Sequence, residues 1–434
     1  MKRTTTLTAA VAMLCAVGCA AGDDTKNVAA PASQTQASTG QSASGTPSPT
    51  GKEGPTGKEG PSTAATADQG AAPGGSQGKP GLAINVRDGA TDVPVSTLLS
   101  VTPTAGTIDD VQITTTASGK NAVTSLTAKA DDRGVWTADN RLDPGASYTI
   151  TATGTATDGE PLSSKATFRT ATLERSQEVF PTLSPVINGP YGVAQPVVVQ
   201  FDIPVKNKAE FERNMHVTST PAQEGSWGWM DDKTAHWRPK EHWKPGTKVK
   251  LDARLNGVDA GGGNYGQLNR TLDLTIGKNQ QGKVDLAKHT ITWMRDGKQI
   301  GTWPMTAGKP GFVTRSGTKV VMEKAENITM NSETTGIARD SSEGYEVKAA
   351  YALRVTQSGE FIHSAPWNEG NFGVRNASHG CVGMSNEQMY ALYSNAQVGD
   401  PVVFTGSDRK LEVGNGWTAW DLSWEQWQAK SALK

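Results

Sequence analysis

The chain has 434 residues, with 42 Lys plus Arg against 43 Asp plus Glu and a net charge of −1. That balance, without a long basic run, argues against a nucleic-acid partner, and no run of about eighteen apolar residues provides a spanning helix. The length accommodates about three domains once the ends are set aside, and the wealth of Thr, Gly and Val favours a mostly β chain.

Met1–Gly18 carries Lys2 and Arg3, then the apolar run Leu7–Val17. This is the layout of a secretory signal. Ala16-Val17-Gly18-Cys19 looks like a lipobox, which makes Cys19 the lipidated first residue of an exported, membrane-anchored protein. Several acyl chains on one cysteine anchor firmly, whereas one binds marginally. The alternative is cleavage near Ala20 or Ala21, which yields a soluble secreted protein. Residues 19–80 are low-complexity, with Thr50–Pro55 repeated at Thr56–Pro61. They lack the apolar content for a core and read as a disordered tether. About sixty such residues span roughly 40–50 Å.

Residues 81–173 and 174–277 read as two Ig-like β-sandwich modules. The first shows short alternating runs at Val111–Ile113, Leu126–Ala128, Tyr148–Ile150 and Thr167–Phe168, separated by turn signals. The second repeats its register. Trp136 is followed by Pro144-Gly145, Tyr148 and Ile150; 101 residues later Trp237 is followed at the same offsets by Pro245-Gly246, Val249 and Leu251. That repetition predicts two copies of one unit. Neither module contains cysteine. Trp227, Trp229, Trp237 and Trp243 are expected in the core of the second, with sugar binding as the alternative.

Residues 278–406 read as a β-rich domain. His289–Met294 and Gln299–Met305 flank Arg295-Asp296-Gly297-Lys298, a hairpin signal. Asn327–Gly344 is polar and loop-like. Tyr351–His363 is a strand-like run that ends on His363, and Cys381 follows it by eighteen residues. Cys381 is the one cysteine beyond the leader. A thiol attacks as thiolate, so it needs a base nearby, and a Gly/Asn-rich loop can fold His363 back beside it. A small buried hydrophobe is the other role open to a lone Cys. A His/His/Cys zinc site lacks a fourth ligand at suitable spacing. Beyond the thiol, Ser385 to Gln388 makes a capping box, and Met389, Leu392, Tyr393 and Ala396 share one helical face. The positive end of that helix is expected to favour a thiolate by about 0.3–1 kcal/mol. Residues 407–434 form a Trp-rich extension. Trp417, Trp420, Trp424 and Trp427 fall on one face of a continuous helix, which is expected to dock rather than expose them.

His363-Ser364-Ala365-Pro366-Trp367 followed by Ser378-His379-Gly380-Cys381 resembles the signature of the L,D-transpeptidases, the YkuD-type cysteine enzymes of bacterial cell-wall synthesis. The whole layout resembles the actinobacterial members with Ig-like domains ahead of the catalytic domain. The resemblance implies Cys381 as nucleophile, His363 as base oriented by the backbone carbonyl of Ser364, and an oxyanion site at backbone N–H groups around Gly380 and Cys381. His379 and Ser378 would shape the loop. Tyr345 and Trp367 would line the cleft under a flap at Asn327–Gly344. The implied substrates are peptidoglycan stem peptides, a donor tetrapeptide and an acceptor amine, joined 3→3 with release of D-alanine. Carbapenem β-lactams would acylate the same thiol, and no metal or organic cofactor is implied. The chain departs from the family at Gly383, where Asn or Arg is usual. An L,D-carboxypeptidase using water as acceptor, and a non-catalytic wall-binding lipoprotein, are the competing readings.

Overall fold

The computed structural model describes residues 79–117, 128–186 and 189–433. The expected signal peptide, Cys19, nearly all of the tether and the start of the Leu126–Ala128 run lie outside them.

The first two modules share a four-stranded sheet with a three-stranded one, and the second adds a small sheet of Asp259–Gly261, Asn264–Gly266 and Glu178–Val179. In the first, the orders are Gly81–Ile84, Ser100–Thr104, Trp136–Ala138, Ala128–Ala130, and Gly106–Thr115, Ser147–Ala156, Pro161–Arg169. In the second they are Gly225–Trp229, Thr234–Pro239, Val197–Phe201, Pro181–Ser184, and Met215–Thr220, Lys248–Arg254, Asn269–Thr275. The repeated register lands on equivalent strands. Tyr148 and Ile150 alternate inward in one module, Val249 and Leu251 in the other, and Trp136 and Trp237 are both buried. This is the period-two burial that a sandwich demands. Trp227, Trp229, Trp237 and Trp243 all belong to the second core.

The third core lies under two further sheets. One orders Lys298–Pro304, Thr290–Arg295, Gln280–Asp285, Pro401–Thr405 and Gly317–Val320; the other orders Glu323–Asn331, Glu346–Arg354, Phe361–Ser364 and Val382–Met384. Asp296 and Gly297 both have positive φ, 51° and 76°, so the expected hairpin closes on a primed turn. Three expectations need correction. Tyr351–His363 is a hairpin rather than one strand: Gly359 N–H bonds Thr356 O, and the chain reverses so that His363 lies opposite Ala352. Asn327–Gly344 is loop only in its later part, because strand pairing persists to Asn331 opposite Glu346 and a 3-10 turn, Ser332–Thr335, follows. The four C-terminal tryptophans do not share one helix. Trp420 lies in a 3-10 turn, Ala419–Asp421, and Ser423 caps a separate helix, Trp424–Gln428.

The tail nevertheless docks as expected. Trp427 is fully buried and donates to Ser226 O (3.0 Å), Trp420 donates to Ala194 O (2.8 Å), and Trp229 N–H bonds Lys430 O. Arg238 sits over Trp420, Trp424 and Trp427, 4.4, 5.3 and 5.6 Å from their centroids.

The second module also meets the third core at a tight corner, where Gly192 N–H bonds Val398 O and Ala194 N–H bonds Gly399 O. Asp400 is buried there. Its Oδ2 accepts from Gln397 N–H (2.7 Å), while Oδ1 has no hydrogen-bond partner among the described residues. Burial pushes its pKa up to about 8, against the opposing pull of that N–H, Lys324 and Arg295. A carboxyl whose folded pKa exceeds its unfolded one stabilises when protonated, and that contribution is lost as pH rises through about 8. Thermal melts from pH 6 to 9 should therefore show a falling midpoint, and Asp400→Asn should flatten it. An unchanged slope in the variant would remove Asp400 as the cause.

Candidate active site

The Phe361–Ser364 strand carries His363 and pairs in parallel with Val382–Met384, which leaves Cys381 directly; His363 lies opposite Gly383. The loop before the thiol is fastened from the other side. Thr306 and Gly383 exchange both backbone hydrogen bonds, Ser378 N–H bonds Ala307 O, and Thr314 Oγ1 donates to Gly380 O (2.8 Å). Gly380 has φ +124°, a conformation that side chains disfavour, so glycine is required for the bend into Cys381.

His363 is 6 % exposed, and its Nδ1 lies 2.9 Å from Ser364 O. A carbonyl can only accept, so Nδ1 carries the proton and Nε2 is left as the acceptor. Burial pulls the imidazole down to about 4, opposed by that hydrogen bond. The Trp367 ring stacks on it, 5.9 Å between centroids. Cys381 is part-exposed. Its Sγ–H donates to Gly359 O (3.6 Å), and Phe361 N–H points at the sulfur. Burial pushes the thiol up to about 11, with Phe361 N–H and Lys319 pulling down and Glu360 pushing up. The resting pair is thus neutral thiol and neutral imidazole. The helix expected to favour a thiolate, Asn386–Asn395, begins beyond the Val382–Met384 strand, and burial outweighs it. Its cap is also half of the expected box: Ser385 accepts from Gln388 N–H, but Gln388 Oε1 is buried without a partner among the described residues.

Two clefts meet at Cys381. One, about 240 Å³, is lined by His363, Trp367, Ser378, Met330, Val347 and Gly383. The other, about 250 Å³, is more polar and holds Arg315, Arg409, Glu360 and Phe312. Tyr345 and His379 border both. His379 Nε2 contacts Glu343 Oε2 (2.6 Å), which also pairs with Lys309, and the rings of Phe312 and Tyr345 pack on the imidazole. His379 therefore ties the loop of Cys381 to the segment after the Ser332–Thr335 turn. Ser378 Oγ donates to Cys381 O (2.6 Å) and accepts from Gly380 N–H (3.1 Å). That engagement corrects one expectation, because the Gly380 N–H is already committed. The Cys381 N–H has no acceptor among the described residues.

Sequence reasoning missed the support behind the sulfur. Glu360 accepts from Lys319 Nζ (2.6 Å) and from Arg315 N and NH1 (3.1 Å each), and Lys319 is fully buried with its ammonium over the Phe404 ring. Glu360 lies between Gly359 and Phe361, the two residues whose backbones touch the thiol. Clamping it fixes them both. Lone charges in a strand-rich sequence read as surface, so no local pattern marks this cluster.

Gly383 makes a close approach. A Cβ there would lie 2.9 Å from Ala365 Cβ and 3.3 Å from Thr306 Cγ2. Gly383→Asn should cost about 1–3 kcal/mol by overpacking and slow acylation by crowding the cleft beside His363. Adding Ala365→Gly should recover stability. A single variant that melts with the parent would show that the strand gives way freely.

A family profile for the YkuD L,D-transpeptidase catalytic domain matches residues 280–404, and one for a bacterial Ig domain matches 90–259, across both modules. The chain is 32% identical over 375 residues to L,D-transpeptidase 5 of Mycobacterium tuberculosis (strain ATCC 25618 / H37Rv), covering 82% of this chain and 77% of that protein. It is 30% identical over 357 residues to L,D-transpeptidase 2 of Mycobacterium tuberculosis (strain CDC 1551 / Oshkosh), covering 81% and 85%. A solved L,D-transpeptidase 3 from Mycobacterium tuberculosis, in complex with a faropenem-derived adduct, is 31% identical over 52% of this chain and 97% of its own, with a TM-score of 0.44. With more than two thirds of two such relatives covered, the chain belongs to the L,D-transpeptidase family.

Proposed function

We propose that the protein is a peptidoglycan L,D-transpeptidase that forms 3→3 cross-links through a thioester on Cys381. The observation that carries the proposal is the His363 tautomer: with Nδ1 held by Ser364 O, Nε2 is the acceptor in the cleft that Cys381 lines. The Sγ proton turns from Gly359 O to Nε2 as sulfur attacks the carbonyl of the donor's third residue. The tetrahedral oxyanion takes the Cys381 N–H. Collapse breaks the amide, and His363 returns its proton to the departing amine of D-alanine. The side-chain amine of a second stem's third residue then attacks the thioester, His363 takes that proton, and the sulfur leaves and regains it. Because the resting thiol is far from ionised, deprotonation is concerted with attack.

Two clefts meeting at one sulfur favour an amine acceptor over water, since donor and acceptor can each occupy one. The discriminating test supplies soluble tetrapeptide stems with and without an acceptor amine. Cross-linked dimer as the main product supports transfer; release of D-alanine with tripeptide alone would make the protein an L,D-carboxypeptidase. Carbapenems are the proposed inhibitors. Their strained lactam offers an acyl carbon to the same thiol. We place the protein outside the cytoplasm, anchored through lipidated Cys19. Cys19→Ser should release it into the medium, and an unchanged membrane fraction would refute the anchor.

A further inference from the structure

A third cleft, about 630 Å³, opens where the second module, the first strand of the third core and the C-terminal tail meet. It shares no lining residue with the two clefts at Cys381. Trp420 and Trp424 form one side, and both are only part-buried. Asn279 and Gln281 come from the third core; Glu241 and Lys244 come from the second module. Among the described residues, the side chains of Asn279, Gln281 and Lys244 make no hydrogen bond or ion pair, and the Glu241 carboxylate accepts no hydrogen bond. The indoles, by contrast, are fixed. Arg238 lies over both rings, its guanidinium also bonds Leu422 O (3.2 Å), and Trp420 Nε1 is tied to Ala194 O.

Rigid indoles beside unpaired planar amides and a carboxylate are the chemistry that recognises a sugar. A pyranose lays its C–H face on an aromatic ring, and its equatorial hydroxyls and acetamido groups pair with amide and carboxylate side chains. Ring orientation is set in advance, so little entropy is lost on binding. We propose that this cleft binds a β-1,4-linked N-acetylhexosamine strand, the glycan that carries the stem peptides. The inference rests on the proposed wall substrate. Its consequence is avidity. A glycan held here raises the concentration of attached stems at Cys381 without adding a contact to the reacting groups. The exposed Lys244 ammonium suits the acidic groups of the stems that hang from such a strand.

The test uses the full-length protein, with two independent variants, Trp424→Ala and the double Asn279→Ala/Gln281→Ala. Expected results are at least a roughly ten-fold loss of retention on purified peptidoglycan sacculi, with a matching fall in turnover of sacculi. Turnover of soluble stem peptide and acylation by a carbapenem should stay within about two-fold, because neither needs the glycan. Tetra-N-acetylchitotetraose should quench tryptophan fluorescence in the parent and not in Trp424→Ala. Retention equal to the parent in both variants would overturn the proposal, as would quenching by a sugar-free anionic wall polymer and none by the chitotetraose. Failure of the parent on soluble stems would instead refute the transpeptidase reading, and sacculus retention of Cys381→Ala reports the glycan site separately.

Discussion

His363→Ala is expected to slow acylation of Cys381 by about 10²–10⁴-fold, the usual range for loss of a positioned general base. The expectation follows from the resting charges. The thiol, pushed to about 11, is almost entirely protonated at neutral pH, so the reaction depends on a base that acts during attack. The imidazole, pulled to about 4 by burial, is unprotonated and available across the neutral range. The acylation rate should therefore be flat near neutrality and fall only as pH drops through about 4, where His363 takes up a proton. An ordinary exposed imidazole would place that fall near 6.5. Added imidazole should restore part of the variant's rate. An acid limb near 6.5 in the parent, or a variant within a few-fold of the parent, would show that position 363 is not the base.

The second large effect concerns the pair behind the sulfur. Glu360→Gln leaves the fully buried Lys319 without its anion, and breaking such a pair costs about 3–5 kcal/mol. The loss should appear in the melt of the third core, since Glu360 also holds Arg315. A purely structural role predicts that Lys319→Met and Glu360→Gln both impair the thiol alike. The charges predict opposite signs. Glu360 pushes the Cys381 pKa up and Lys319 pulls it down, so Glu360→Gln should lower the pH midpoint for alkylation by iodoacetamide and Lys319→Met should raise it. Shifts of the same sign would reduce the cluster to packing.

How much of this was legible in the sequence follows the range of each interaction. The modules were readable because a sandwich writes period-two burial and Pro-Gly turns into local sequence, and because Trp136 and Trp237 anchor the same register twice. The Asp296-Gly297 hairpin was readable for the same local reason. His363 and Cys381 were readable from their motif, and the Ser364 carbonyl from the resemblance that motif carries. What failed were features decided by contacts distant in sequence. The tryptophan spacing suggested one helical face, but docking onto Arg238 and Ser226 broke the segment at Ser423. Glu343 gave no sign that it would pair with His379, 36 residues away. Lys319 and Glu360 are 41 residues apart and meet only once the two sheets close. The Gly380 N–H was expected to face the oxyanion, but Ser378 Oγ, two residues back, captures it.

Intact-mass analysis of the protein incubated with a carbapenem tests most directly whether Cys381 is the nucleophile. A single adduct is expected on the parent, mapped by peptide mass to Cys381, with none on Cys381→Ala. A folded parent that stays unmodified, or an adduct that persists in Cys381→Ala, would contradict it.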